Sequence, residues 1–326
     1  MQNISTVDTN KNRIQNEIYT KLESINEQSR NYINDVIVII NREIGIDKIT
    51  SIILFGSQRE IEKKNAECTS VSDCDLLIIF NDNVPDFFIK KIEKYFLALE
   101  NKHNFRVENN SKFVNKFLDV VHSSTGMFVS HFLTKKKYWE NIIFHKIFRV
   151  NKVFSKLIAP KKIVLCNVVA NSRLLYGNDL REIVKKIEIS PLDMIKSLCM
   201  NLIVLFLSIP ISILNSFNSI RYQLEAVKWS LRAANYYAFK DSVSLEEISS
   251  RFTLFEKSGS FLNYIKHAKV FYNRFLNLRK RPQRDLGFML RCPFRILKIH
   301  LKGILFKKMA KKGINNDKKS FNFIFP

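Results

Sequence analysis

The sequence predicts an α+β protein: a small mixed β-sheet dressed with helices, followed by an α-helical domain. Three observations carry this. Two short β-branched runs, at 50–56 and 75–80, each stop abruptly at Gly or at polar turn residues. An amphipathic helical stretch follows them before further strand-like runs. From Lys135 onward the apolar residues recur almost wholly at helical spacing.

Taken in order, residues 12–44 place Ile18, Leu22, Ile25, Ile33, Val36 and Ile40 at helical intervals with no Gly or Pro before Gly45, which predicts one or two leading helices. TSIILFG at 50–56 reads as a buried strand, SQREIEKKNAE as a helix starting at Ser57, and TSVSD as a polar turn. DLLIIF at 75–80 is a second buried strand closed by NDNVPD. The segment 84–102 starts beside Pro85 and is amphipathic, as a crossover helix should be. Strands are expected at 116–122 and 127–133, with the sheet ending near 133. Helices are expected at 136–149, 152–174, 191–208, 219–240, 260–278 and 293–312, punctuated by Asn178-Asp179 and Ser190-Pro191. The uncharged run Leu198–Leu214 reaches only the lower length limit of a membrane span; Asn201, Ser208 and Pro210 interrupt it, so a buried bundle helix is expected.

Composition narrows the function classes. With 326 residues, 46% hydrophobic and 25% charged, the chain can bury a core. Cys68, Cys74, Cys166, Cys199 and Cys292 are scattered and never spaced as CxxC, which argues against a disulfide framework or a zinc site. The first fifteen residues lack a secretory pattern, so a cytoplasmic, reducing location is expected. The net charge of +23 implies attraction to polyanions. It is uneven: residues 266–326 hold 17 Lys and Arg against Asp285 and Asp317.

The chemistry concentrates at Gly56, Ser57, Asp73 and Asp75. A strand ending in Gly lets the backbone turn sharply and approach phosphate oxygens, and Ser adds a hydroxyl donor ahead of a helix N-terminus. Residues i and i+2 on a strand share a face, so Asp73 and Asp75 aim their carboxylates together. The stretch ILFGSQREIEKKNAECTSVSDCDLLIIF resembles the signature of the DNA polymerase β-like nucleotidyltransferase superfamily: strand, Gly-Ser, helix, Asp-x-Asp, strand. Fifteen residues separate Ser57 from Asp73, more than in compact members, and EKKNAECTS is the expected insertion.

That resemblance implies transfer of a nucleoside monophosphate from Mg-NTP to an acceptor hydroxyl, with two Mg²⁺ ions, or Mn²⁺ in their place, held by hard carboxylate ligands. It also implies a third carboxylate; Asp119 in KFLDVVH is the best match and Glu108 the reserve. The expected catalytic and metal-binding set is therefore Asp73, Asp75 and Asp119, with Gly56, Ser57 and Lys228 binding the nucleotide. Lys228 lies on a helix where relatives place a basic residue for the triphosphate; an ordinary solvated lysine is the alternative. His122 and His131 are expected to pack or lie at the surface rather than to ligate. A weaker likeness, at 171–193, is to the segment after the catalytic domain in aminoglycoside-type nucleotidyltransferases, with Gly177 ending a helix.

These readings divide the chain into a nucleotidyltransferase domain with its leading helix (1–134), an α-helical domain (135–280) and a basic C-terminal extension (281–326). Strong positive charge favours RNA, tRNA or another polyanion as acceptor over a polycationic aminoglycoside. A cyclic or linear oligonucleotide synthase of antiphage signalling is an alternative, as are an aminoglycoside-type small-molecule nucleotidyltransferase and a catalytically dead nucleic-acid or membrane-binding protein. In the extension, Arg291, Arg295, Lys298 and Lys302 form a basic face and Leu297, Leu301, Ile304 and Leu305 an apolar one. Such a helix can meet a phosphate backbone, or an anionic membrane through residues 291–312, or it can pack into a core with its basic face solvated.

Overall fold

The computed structural model describes residues 18–56 (except 19 and 24), 74–105, 131–170, 172–214, 216–254 and 262–313. They form two compact units, Met1–Leu157 with Asn171–Lys186, and Ile158–Ala170 with Ile187–Pro326. The class is as expected, a mixed sheet with helices and then a helical region. The strand expected at 116–122 lies outside the described residues.

In the sheet unit, α1 (Glu27–Glu43) starts where the Asn26 side chain accepts the Ser29 N–H at 2.8 Å. It buries Tyr32, Ile33, Val36, Ile37 and Ile40, spaced for one face. A single 3₁₀ turn, Ile46–Lys48, leads into β1 (Ile49–Phe55), whose residues are all buried. β2 (Asp75–Phe80) runs antiparallel to it. Then α2 (Asp86–Lys102) starts after Pro85 and buries Ile89, Ile92, Phe96 and Leu99. It is the crossover that a parallel pairing requires, because β3 (His131–Lys135) pairs parallel with β2.

Three short helices follow: α3 (Lys136–Glu140), α4 (Phe144–Ile147) and α5 (Lys152–Leu157). The chain passes through α6 (Lys161–Ala170), which belongs to the helical unit, and returns as β4 (Ser172–Gly177), antiparallel to β1. After β4 comes α7 (Arg181–Lys185). The sheet order is β3-β2-β1-β4. One face of it, with Ile52, Leu54, Leu76, Ile78, Phe80, Leu133 and Leu175, shares a core with α1 and α2. Each large apolar side chain buried there contributes about 1.5–3 kcal/mol before entropy is charged against it.

Three expectations are corrected here. The sheet does not end near 133, and 152–174 is not one helix: β4 takes Ser172–Gly177, although only Leu175 in it is fully buried. Gly177 ends a strand rather than a helix; its φ is +81° and a Cβ would overlap the Thr50 carbonyl. α3–α5, β4 and α7 group with the sheet in one compact unit. Part of the reason is the Trp139 indole N–H, which donates to the Leu180 carbonyl at 2.9 Å and ties α3 to the β4–α7 turn.

The helical unit adds α8 (Pro191–Leu214), α9 (Ser216–Phe239), α10 (Leu245–Leu254), α11 (Leu262–Lys280) and α12 (Leu286–Gly313). α9 is the central element, packed by α6, α8, α10 and α12. It buries Leu224, Val227, Leu231, Ala234 and Tyr237. No helix among the described residues is long and apolar enough to cross a membrane. Within this unit α12 packs on α8 and α9.

α12 does not begin at Pro293. Asp285 accepts the Phe288 N–H at 3.0 Å as a cap, and buried Phe288, Met289 and Cys292 anchor the first turns, which outweighs the internal proline. At Gly303 the crossing with α9 is so close that a Cβ would stand 2.8 Å from Ala234 Cβ and 2.9 Å from its Cα and carbonyl oxygen. Overpacking against backbone costs about 1–3 kcal/mol, and the better helix propensity of Ala offsets only part of it. Gly303→Ala should therefore destabilise the helical unit by about 1 kcal/mol or more, read as a lower midpoint in urea.

Candidate functional site

The expected site begins at the β1–β2 pair. In the antiparallel register Phe55 faces Asp75, so the last residue of one strand stands opposite the first of the next. Leu76, Ile78 and Phe80 fill the helix-covered face, and alternation puts Asp75 on the opposite one with Leu77 and Ile79. Phe55 and Phe132 stack there with centroids 5.9 Å apart, and Phe148 meets Phe132 edge-on at 5.0 Å. The half-exposed carboxylate thus stands at the end of an apolar sheet face.

Gly56 follows Phe55 directly, with φ at +83°. A Cβ at Gly56 would overlap Asp75 Oδ2 and lie 3.2 Å from its Cγ. Glycine is needed twice, for the turn and for the carboxylate's approach. Gly56→Ala should cost the sheet unit about 1–3 kcal/mol and push the Asp75 carboxylate aside, checked by its melting temperature.

The structure thus brings Gly56 and Asp75 together. Ser57, Asp73, Asp119, the reserve Glu108 and His122 lie outside the described residues. Among the described residues no group of three His, Cys, Asp or Glu side chains is arranged to hold a metal. Asp75 is an oxygen ligand of the type Mg²⁺ takes, placed where a backbone without a Cβ leaves room, so this part of the expected set fits the ion.

Lys228 belongs to the helical unit, on α9. It is not a solvated lysine: it pairs with Glu225 one turn earlier and lies 5.6 Å from the Trp229 ring centroid. Arg279 from α11 reaches the other Glu225 oxygen at 3.3 Å. Burial lowers the Lys228 pKa, with Glu225 opposing it. Burial works against the Glu225 carboxylate, but Lys228 and Arg279 outweigh it and hold the group below its ordinary range. Glu225 and Arg279 were not foreseen. The i, i+3 spacing of Glu225 and Lys228 signals the first pair, whereas nothing local signals Arg279.

His131 packs, as expected. It is buried on β3 with Nδ1 2.6 Å from Glu100 Oε1 of α2 and an edge-on contact to Phe96. The pair joins β3 to the crossover helix, which is a structural task.

No family model matches the sequence, and comparison with curated proteins gives no match. Among solved structures, the chain is similar to a spectinomycin adenyltransferase from Enterococcus faecialis, crystallised with ATP and spectinomycin. Identity is 10% and the TM-score 0.46, over 84% of this chain and 98% of that one.

Proposed function

We propose that the chain is a metal-dependent nucleotidyltransferase that moves a nucleoside monophosphate from an NTP to an acceptor hydroxyl. The observation that carries this reading is the seating of the Asp75 carboxylate against Gly56, at the adjoining ends of β1 and β2. A bare backbone turn beside a carboxylate is what a triphosphate–metal complex needs: close approach for phosphate oxygens on one side and a hard anionic ligand on the other. Ser57 and Asp73 complete the motif in the sequence, and Asp119 supplies its third carboxylate.

In this proposal Asp73, Asp75 and Asp119 would hold Mg²⁺, or Mn²⁺, which when bound neutralises charge on the phosphates. Gly56 and Ser57 position the triphosphate with backbone and hydroxyl donors. The net charge of +23 supports a polyanionic acceptor such as RNA, and a cytoplasmic location belongs to the same proposal.

The test is incubation of the full chain with Mg²⁺, each α-labelled NTP and total RNA. Label in RNA supports the polyanionic acceptor. A small labelled product instead makes a second nucleotide the acceptor, as in an oligonucleotide synthase. No label in either fraction sinks the transferase reading.

A further inference from the structure

We propose that the solvent face of α12 is a docking surface for an anionic phospholipid bilayer, on which the helix lies flat. The inference stands on this helix and is independent of the reaction proposed above.

α12 carries three parallel stripes. Phe288, Cys292, Ile296, Ile299 and Gly303, spaced 4, 4, 3 and 4, face the core. Leu286, Leu290, Phe294, Leu297, Leu301 and Leu305, spaced 4, 4, 3, 4 and 4, are all exposed, Leu290 by 75% and Phe294 by 71%. At about 100° per residue this second stripe runs along the side of the helix away from the core, for about 28 Å. Arg291, Arg295, Lys298 and Lys302 form the third stripe beside it. From Leu286 to Gly313 the helix has eight Lys and Arg and no Asp or Glu.

Single exposed leucines are ordinary on a protein surface, but a continuous row of six marks an interaction site. The chemistry selects the occupant. A phosphate backbone would use the cations and leave the leucines and phenylalanine without gain. A second copy would bring eight like charges against eight with no acid on either helix to offset them. A bilayer interface takes both: acyl chains receive the apolar row, and anionic headgroups meet the cations that flank it. Arginine and lysine suit that flank because their stems lie along apolar surface while the charge reaches the headgroups. The helix is not apolar enough to span, so it would lie in the plane of the interface.

The test is co-sedimentation of the full chain with vesicles of pure phosphatidylcholine and with vesicles containing roughly 30% phosphatidylglycerol. The chain should pellet with the anionic vesicles and not with the neutral ones. Phe294→Ser with Leu301→Ser should weaken partitioning about tenfold or more. Both residues are exposed, so the melting temperature should stay unchanged. Arg291→Gln with Lys298→Gln and Lys302→Gln should weaken it roughly a hundredfold. Absence of binding to anionic vesicles, or equal binding to neutral ones, overturns the proposal. So does an apolar double variant that binds as the parent does, which would leave a polyanion site only. A double variant that converts a dimer to monomers in the ultracentrifuge, with no vesicle binding in the parent, makes the face an interface between copies and overturns it too.

Discussion

Asp75→Asn should lower transfer of label from an α-labelled NTP by at least 10²–10³-fold, on the order of what is lost when one electrostatic stabiliser of a transition state is removed. The substitution keeps the shape of the side chain, so the close packing against Gly56 and the pairing of Asp75 with Phe55 should survive. What changes is charge. An amide is a poorer ligand than a carboxylate for a hard divalent cation, so the apparent Mg²⁺ requirement should also rise. Far-UV circular dichroism and the melting temperature should match the parent. A variant with parental transfer activity would remove Asp75 from the reaction, and with it the observation on which the transferase reading rests.

The parts of this molecule that were legible in the sequence are those settled within a few residues. β1 and β2 announce themselves as continuous apolar runs because both of their faces are covered. Gly56 and Asp75 could be assigned to one place because each sits at the end of such a run. β4 was not legible. Its exposed and half-buried residues carry no period-2 signal, and its strand character is fixed by the nonlocal register Ile53↔Leu174 and Ser51↔Gly177 with β1. The Lys228 environment divides in the same way: Glu225 lies one turn back on the same helix, whereas Arg279 reaches Glu225 from 54 residues further along the chain.

α12 shows a subtler limit. Its basic stripe was legible, and so was an apolar stripe holding Leu297 and Leu301. Periodicity alone cannot say which apolar stripe faces the core when a helix carries two of them. The close crossing at Gly303 and the buried His300 settle it, and both depend on α8 and α9.

His300 also gives the helical unit a pH dependence of calculable sign. The ring is fully buried, and burial pulls its pKa from 6.5 down to about 3. Asn201 on α8 places its amide nitrogen 3.2 Å from Nε2, and the Tyr237 hydroxyl on α9 lies 3.1 Å from Nδ1. A neutral ring satisfies both neighbours by accepting at Nε2 and donating at Nδ1, whereas a proton on Nε2 would face the Asn201 donor. The unfolded chain binds a proton here below about pH 6.5 and the folded chain does not until about pH 3. Stability from this residue is therefore fully present above the upper value and is lost as pH falls toward the lower one.

The window from pH 6.5 to 4.5 isolates the effect, since carboxylates held below their ordinary range, such as Glu225, whose ordinary value is 4.5, begin to lose their contribution only beneath it. Across that window the helical unit should lose about 2–3 kcal/mol. Urea unfolding at a series of pH values measures it, and two compact units call for two transitions to be fitted. The Gly303→Ala variant identifies which transition is which, because it should shift only the helical one. His300→Gln keeps hydrogen-bonding groups in the site but removes the titration, so it should flatten the pH slope of that transition while leaving the other unchanged. An unaltered slope in the glutamine variant would mean that the buried imidazole accepts its proton in the folded state, against the packing of α8, α9 and α12 around it.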